Sequence, residues 1–249
     1  MNRAEKRRQQ KLAKKAAGRS PRHQSPASQE RLDLALQHHA AGRLAEAGQL
    51  YQQIIEADPR HPVALQYLGV LAHQTGKNEI AVDLISQALA IKPDYAEAHG
   101  NLGVTLNAMG RQSDAVASYR SAIALKPGYV EAHYNLGIVL HQLGELDAAI
   151  ASYRCAVELK PDHAEAHGNL GNVFKQTGAL DAAVACYQRV IALRPDKAEA
   201  HSNLGVAFNT LGRWDAAAAS LRQAIAINPG YAEAQNNQGN VLANQGRLS

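Results

Sequence analysis

Aromatic residues make up only 5% of this 249-residue chain, with one tryptophan and two phenylalanines. A large core of packed rings is therefore not what holds it together. Its apolar content, 46% of residues, comes mostly from Ala, Leu, Ile and Val and suits closely packed helices. Cysteine is nearly missing too. Cys155 and Cys186 both fall in expected helices, so no disulfide framework is indicated, and a reducing compartment, the cytoplasm, is expected. No apolar run approaches the roughly 18 residues that a membrane-spanning helix needs. The basic N-terminus is followed by no apolar stretch and does not read as a secretory signal.

Acidic residues are almost absent from one end. Residues 1–27 hold nine of the 26 Lys/Arg (Arg3, Lys6, Arg7, Arg8, Lys11, Lys14, Lys15, Arg19 and Arg22) and only Glu5 of the 22 acids. This tail carries +8, which leaves −4 on the remainder and accounts for the net charge of +4. Asn2–Arg19 has almost no apolar face, with Leu12 nearly alone, so it is too polar to form a stable isolated helix or to bury itself in a membrane. It reads as a disordered, solvating extension. The functional alternative is contact with nucleic acid, acidic lipid or an acidic partner. Nucleic-acid binding through it would be strongly salt-dependent and lost on deleting residues 1–22.

What the chain does have is a period. Pro59, Pro93, Pro127, Pro161, Pro195 and Pro229 stand 34 residues apart without a break. The spacing divides the chain into units 28–61, 62–95, 96–129, 130–163, 164–197 and 198–231, with a seventh begun at 232–249. Each unit predicts two helices, for example Ala96–Met109 and Gln112–Leu125, the second with Ala115, Val116, Tyr119, Ala122 and Ile123 at intervals of three and four. Gly110, recurring as Gly42, Gly76, Gly144, Gly178, Gly212 and Gly246, is placed to end the first helix in a left-handed turn. The proline closes the second. Asp94-x-x-Glu97, Asp162-x-x-Glu165 and Asp196-x-x-Glu199 predict capping boxes, with Gly128 and Gly230 as weaker caps in two units.

Small residues recur where helices must approach: Gly69, Gly103, Gly137, Gly171 and Gly205 in the first helix, Ala47, Ala81, Ala115, Ala149, Ala183 and Ala217 in the second. Large slots alternate with them, at Leu68, Leu102, Leu136, Leu170 and Leu204 and at Tyr51, Tyr119, Tyr153 and Tyr187. From 28 to 249 this pattern resembles the tetratricopeptide repeat (TPR). The resemblance implies an all-α, right-handed α-solenoid of six full repeats and a truncated seventh. The departures are His99, His133, His167 and His201 in the usual tryptophan slot and Ala35 in place of a glycine in the first unit. Ser25-Pro26 opens that unit as a helix start.

In such arrays the second, fifth, sixth, ninth, twelfth and thirteenth residues of each first helix line the concave side. The sixth position reads Tyr67, then Asn101, Asn135, Asn169, Asn203 and Asn237. An asparagine amide offers donors and an acceptor together and can pair with both polar groups of a peptide main chain. Packed helices sit about 8–10 Å apart and an extended peptide advances about 3.3 Å per residue, so successive asparagines meet roughly every third peptide residue. The five asparagines are the expected peptide-binding residues, for extended or disordered polypeptide segments of partner proteins. The ladder, with the phrases "AEAHGNLGN" and "AEAHSNLGV", is similar to the TPR superhelix of O-GlcNAc transferases and SPINDLY-type proteins. That likeness implies an alternative, the substrate-recognition arm of a glycosyltransferase whose catalytic domain is missing from this chain. The array breaks off just after Gly246, so the chain is a fragment, or its end frays, or another chain covers it.

A carboxylate clamp of the chaperone-binding kind is excluded, because the fifth positions are Gln66, Gly100, Tyr134, Gly168 and Ser202 while the second are mostly glutamates. Those glutamates read as capping partners. His163 and His167 with Glu165 lack the H-E-x-x-H order and a third ligand, so no metal site is expected. The histidine column, Trp214 and both cysteines read as packing residues, and no cofactor loop or catalytic constellation stands out. The expectation is a non-enzymatic binding scaffold.

Overall fold

The structure, a computed structural model, describes residues 26–246; the basic segment before them and the last three residues lie outside it. The described residues form thirteen helices and no strand. They run in pairs: α1 Pro26–Ala40 with α2 Leu44–Ala57, α3 Pro62–Gln74 with α4 Asn78–Ile91, and α5 Ala96–Ala108 with α6 Gln112–Leu125. Three more pairs follow, α7 Val130–Gln142 with α8 Leu146–Leu159, α9 Ala164–Gln176 with α10 Leu180–Leu193, and α11 Ala198–Thr210 with α12 Trp214–Ile227. α13 Ala232–Asn244 is the first helix of a seventh pair. Each helix packs on its own partner and then on the helix that follows, which is the contact pattern of an all-α solenoid.

The turn inside each pair is set by glycine. Gly110 has φ +74, and it passes the chain through a Schellman motif: its N–H donates to Asn107 O at 2.9 Å and that of Arg111 to Leu106 O at 2.9 Å. The same two bonds recur at Gly144 and Gly212. Between pairs, the second helix ends two residues before the proline column, as at Ile91, with Lys92 as its C-cap ahead of Pro93.

The expected capping boxes do not form. The N-cap of α5 is Tyr95, that of α9 His163 and that of α11 Lys197; Asp94, Asp162 and Asp196 sit one residue earlier, in the turn. A side-chain cap is made only by His61, on Ala64 N–H, and His163, on Ala166 N–H, among these helix starts. Most other helices begin instead with an acid in the first turn, Asp114, Asp147, Asp181 and Asp215 among them, where the helix dipole favours negative charge.

Within a pair the separation is fixed by glycine against a large side chain sixteen residues on. A Cβ added to Gly103 would lie 2.7 Å from the Tyr119 ring, one at Gly137 2.7 Å from Tyr153, and one at Gly171 2.8 Å from Tyr187. Ile85 and Leu221 occupy the same place over Gly69 and Gly205. In the first unit Ala35 takes the glycine position, and the Tyr51 ring stacks on Tyr67 of the next unit, 5.8 Å between centroids. The alanine column of the second helices is wholly buried. Trp214 departs from the packing role expected of it: at the start of α12 it is 42% exposed. Burial pushes the Cys186 thiol up to about 11, so it stays protonated at neutral pH and behaves as a small apolar group.

Gly137→Val is expected to lower the unfolding free energy by about 1–3 kcal/mol through overpacking against Tyr153. Gly239→Ala in α13, where an added methyl group meets nothing within 4 Å, should raise it by up to about 1 kcal/mol. Urea titration of the two variants measures the contrast.

Candidate functional site

First helices of successive units also touch one another directly: α3 with α5, α5 with α7, α7 with α9, and α11 with α13. They form the inner layer of the stack, with the second helices behind. Side-chain hydrogen bonds stitch this layer at a step of 35 residues, joining His39 to Gln74 at 3.1 Å, His141 to Gln176 at 2.9 Å and Asn209 to Asn244 at 3.0 Å. Such stitches were not evident from the sequence, because each pairs residues that are unremarkable helix-surface polars when taken alone.

Asn101, Asn135, Asn169, Asn203 and Asn237 all lie on first helices and are all half-buried. Two of them are oriented by neighbours. Asn169 Nδ2 donates to the Tyr134 hydroxyl at 3.3 Å, which leaves its Oδ1 as an acceptor. Asn203 Oδ1 accepts from Lys175 Nζ at 3.0 Å, which leaves its Nδ2 as a donor. Between these two asparagines the surface opens into a cavity of about 190 Å³, with Glu165, Gly168, Asn169 and Asn172 on one side and Glu199, Ala200 and Asn203 on the other. The second, fifth, sixth and ninth positions of α9 thus converge on one space. Tyr187 contributes a wall, its hydroxyl donating to Asn172 Oδ1 at 2.8 Å.

Two of the glutamates at the second position form ion pairs as well as bonding first-turn amides. Glu97 pairs with Lys126 at 2.8 Å and Glu165 with Arg194 at 2.6 Å, in each case a base at the end of the same unit's second helix. The Lys126 hydrogen bond holds the Glu97 carboxyl below its ordinary value; for Glu165 the leading cause is its own backbone amide, with Arg194 adding to it. These pairs are exposed.

The histidine column does polar work where packing was expected. His99, His133, His167 and His201 each donate from Nε2 to a proline carbonyl six residues back, Pro93, Pro127, Pro161 and Pro195, at 3.0, 2.9, 3.1 and 2.9 Å. Gln235 does the same to Pro229 at 2.9 Å. The column ties each inter-unit turn to the helix it feeds. His163 caps α9 and lies 4.7 Å, ring to ring, from Tyr134. Among the described residues no three His, Cys, Asp or Glu side chains gather as a metal site would require, and no helix is long and apolar enough to cross a membrane.

Two imidazoles have a pH consequence. His61 is 1% exposed and its Nδ1 accepts from Ala64 N–H at 3.1 Å; burial holds its pKa below the ordinary 6.5. Burial lowers His167 as well, against the Pro161 carbonyl. A depressed histidine contributes stability that is complete above the unfolded pKa and is lost as pH falls from there towards the folded value. Glu97 and Glu165 titrate well below that window. The array is therefore expected to be less stable at about pH 5 than at about pH 7.5, and His61→Asn, which keeps a capping acceptor, should narrow the gap in urea titrations at the two pH values.

Comparison with known proteins adds the following. A family model described as TPR repeat matches residues 105–144, 139–178, 171–212 and 207–246, and one described as tetratricopeptide repeat matches 38–103. No curated protein matches the chain. Among solved structures, Pseudomonas aeruginosa pilF is similar over 87% of this chain and 99% of its own, at 20% identity and a TM-score of 0.76. YrrB, described as a TPR protein with an unusual peptide-binding site, is similar over 76% of this chain and 97% of its own, at 23% identity and a TM-score of 0.69. MamA is similar over 66% and 96%, at 26% identity and a TM-score of 0.60. These are likenesses of fold.

Proposed function

The chain belongs to the tetratricopeptide repeat family, and we propose that it is a protein–protein interaction scaffold whose inner face holds extended polypeptide segments by their main chain. The observation that carries this is the run of five asparagines at one repeat position, all half-buried on the inner helices. Helix propensity supplies no reason for asparagine to recur there. The two oriented amides suit a main chain: Asn169 keeps an acceptor for a peptide N–H, and Asn203 keeps a donor for a peptide C=O. YrrB shows that a solenoid of this fold can carry a peptide site, without fixing where such a site lies in this chain. Recognition through the main chain makes the grip tolerant of peptide sequence, with selectivity left to whatever side-chain spaces lie between the asparagines.

Alanine at Asn135, Asn169 and Asn203 together removes three amides, each worth about 0.5–1.5 kcal/mol as a hydrogen-bonding partner. Affinity for a panel of unstructured 15-residue peptides of unrelated sequence should fall at least about tenfold by calorimetric titration, with helix content unchanged by circular dichroism. Equal affinity in the triple variant would remove the asparagines from the site.

The asparagine run and the phrases "AEAHGNLGN" and "AEAHSNLGV" also favour a second reading, the substrate-recognition arm of an O-GlcNAc-transferase-like enzyme. It requires a coding sequence that continues beyond Ser249 into an α/β domain for a sugar nucleotide, and an immediate stop codon excludes it.

A further inference from the structure

A ring stands at nearly every junction between units. The residue that caps each incoming first helix is His61, Tyr95, Tyr129, His163 or Tyr231. The sixth such residue is Lys197. Where the junction is complete, the ring lies against the fifth position of the preceding first helix. The Tyr129 ring covers Gly100, its Cε1 3.1 Å from where a Cβ would be, the Tyr95 hydroxyl donates to Gln66 at 3.1 Å, and His163 lies on Tyr134. A cation covers the tyrosines: Lys92 Nζ is 4.9 Å from the Tyr95 centroid and Lys126 Nζ 4.9 Å from that of Tyr129. Lys126 is held there by Glu97.

At the Lys197 junction the same parts are present and the ring is not. Gly168 corresponds to Gly100 two units earlier, and a Cβ there would meet only Val190, at 3.8 Å. Arg194 corresponds to Lys126, and Glu165, which corresponds to Glu97, holds it at 2.6 Å. Lys197 reaches towards Glu199, 3.8 Å away, and lines, with Tyr134 and Tyr187, the cavity of about 190 Å³ between Asn169 and Asn203. A cavity of about 150 Å³ is enough to hold a benzene ring.

We propose that this cavity is a side-chain pocket for an aromatic residue, tyrosine foremost, of a bound extended peptide, which supplies from outside the ring that the junction lacks. The proposal rests on the peptide-binding reading above and adds a selectivity to it. The ligand's ring lies over Gly168, with Val190 and Tyr187 among the walls around it, and its main chain runs past Asn169 and Asn203. The pocket also contains two carboxylates, so a cationic side chain is the competing occupant; yet Glu165 is already neutralised by Arg194, and Glu199 has Lys197 beside it.

The test uses the whole chain, with Lys197→Tyr as the variant; Tyr129 over Gly100 shows that the fold accepts this pair, and a thermal melt confirms that the variant is folded. Two probes separate the pocket from the asparagine grip. The first is p-cresol, the tyrosine side chain alone, followed by amide NMR shifts. It should shift Gly168, Asn169 and Ala200 in the wild type and leave them unmoved in Lys197→Tyr. The second is a 13-residue Gly/Ser/Ala peptide with a central Tyr, Arg or Ala. The tyrosine peptide should bind the wild type about tenfold more tightly than the alanine peptide, in line with burial of one large side chain, and the ratio should fall towards one in Lys197→Tyr. If the tyrosine and alanine peptides bind equally well and cresol shifts nothing at Gly168, the pocket proposal is overturned while main-chain binding stands. Tighter binding of the arginine peptide overturns the choice of ring. Cresol shifts at the pocket with no peptide binding at all would uphold the pocket and overturn the peptide reading.

Discussion

The contact on which the rest depends is a bare glycine backbone in the first helix of five successive units, Gly69 to Gly205, against a ring or branched side chain from the second. Gly137 and Tyr153 show its tightness, since even one methyl group would fall 2.7 Å from the ring. With separation fixed in every pair, the first helices are close enough to touch their counterparts in the next unit, and the inner layer acquires a regular spacing. A regular spacing is what would let one asparagine per unit stand in register with the proposed extended chain. Core packing and the proposed binding surface are thus one geometric fact seen from two sides of α5, α7, α9 and α11.

The polar residues of the inner layer are committed before any ligand arrives. The histidines fasten the proline turns, the twelfth and thirteenth positions stitch neighbouring helices, and Lys175 and Tyr134 each hold one end of an asparagine amide. A surface so braced would lose little side-chain freedom on docking the proposed peptide, and preorganisation of this kind raises affinity without adding contacts. It also gives the asparagines unequal roles. Asn169 and Asn203 each present one polar group of fixed kind, whereas Asn101 and Asn135 can rotate to suit either partner.

How far these features were legible in the sequence follows from their range. The helix pairs, their glycine turns and the Gly/Tyr columns repeat at 34 residues and depend on backbone geometry, so spacing alone located Gly110 and Tyr119. The cap at Asp94 was misread because Asp-x-x-Glu is a local pattern, and the chain satisfies it one residue out of phase: the turn begun at Pro93 places Tyr95, not Asp94, at the helix boundary. The histidine column was visible as a column, yet its bond to a carbonyl six residues back depends on how the turn folds over the helix. Trp214 shows the converse error. Its neighbours by repeat, Leu146 and Leu180, are half-buried, but nothing in a repeat position dictates that a larger ring will fit where a leucine does.

A repeated structure carries its own controls, and this bears on how a departure is to be read. In a single-copy fold a lysine at a helix start is one surface residue among many. Here five sister positions carry a ring, and at two of them the same cation covers it. The glycine, the base at the end of the second helix and the glutamate holding that base persist at the sixth, although the ring is missing. If Lys197 were only drift at a tolerant surface site, there would be no physical reason for the junction to remain open: a larger residue at position 168, as Gln66 and Tyr134 provide elsewhere, would close it without straining the helix and would remove a glycine from a helix interior. The cavity between Asn169 and Asn203 therefore stands against local stability, and binding of the proposed ring is a physical term that would offset it.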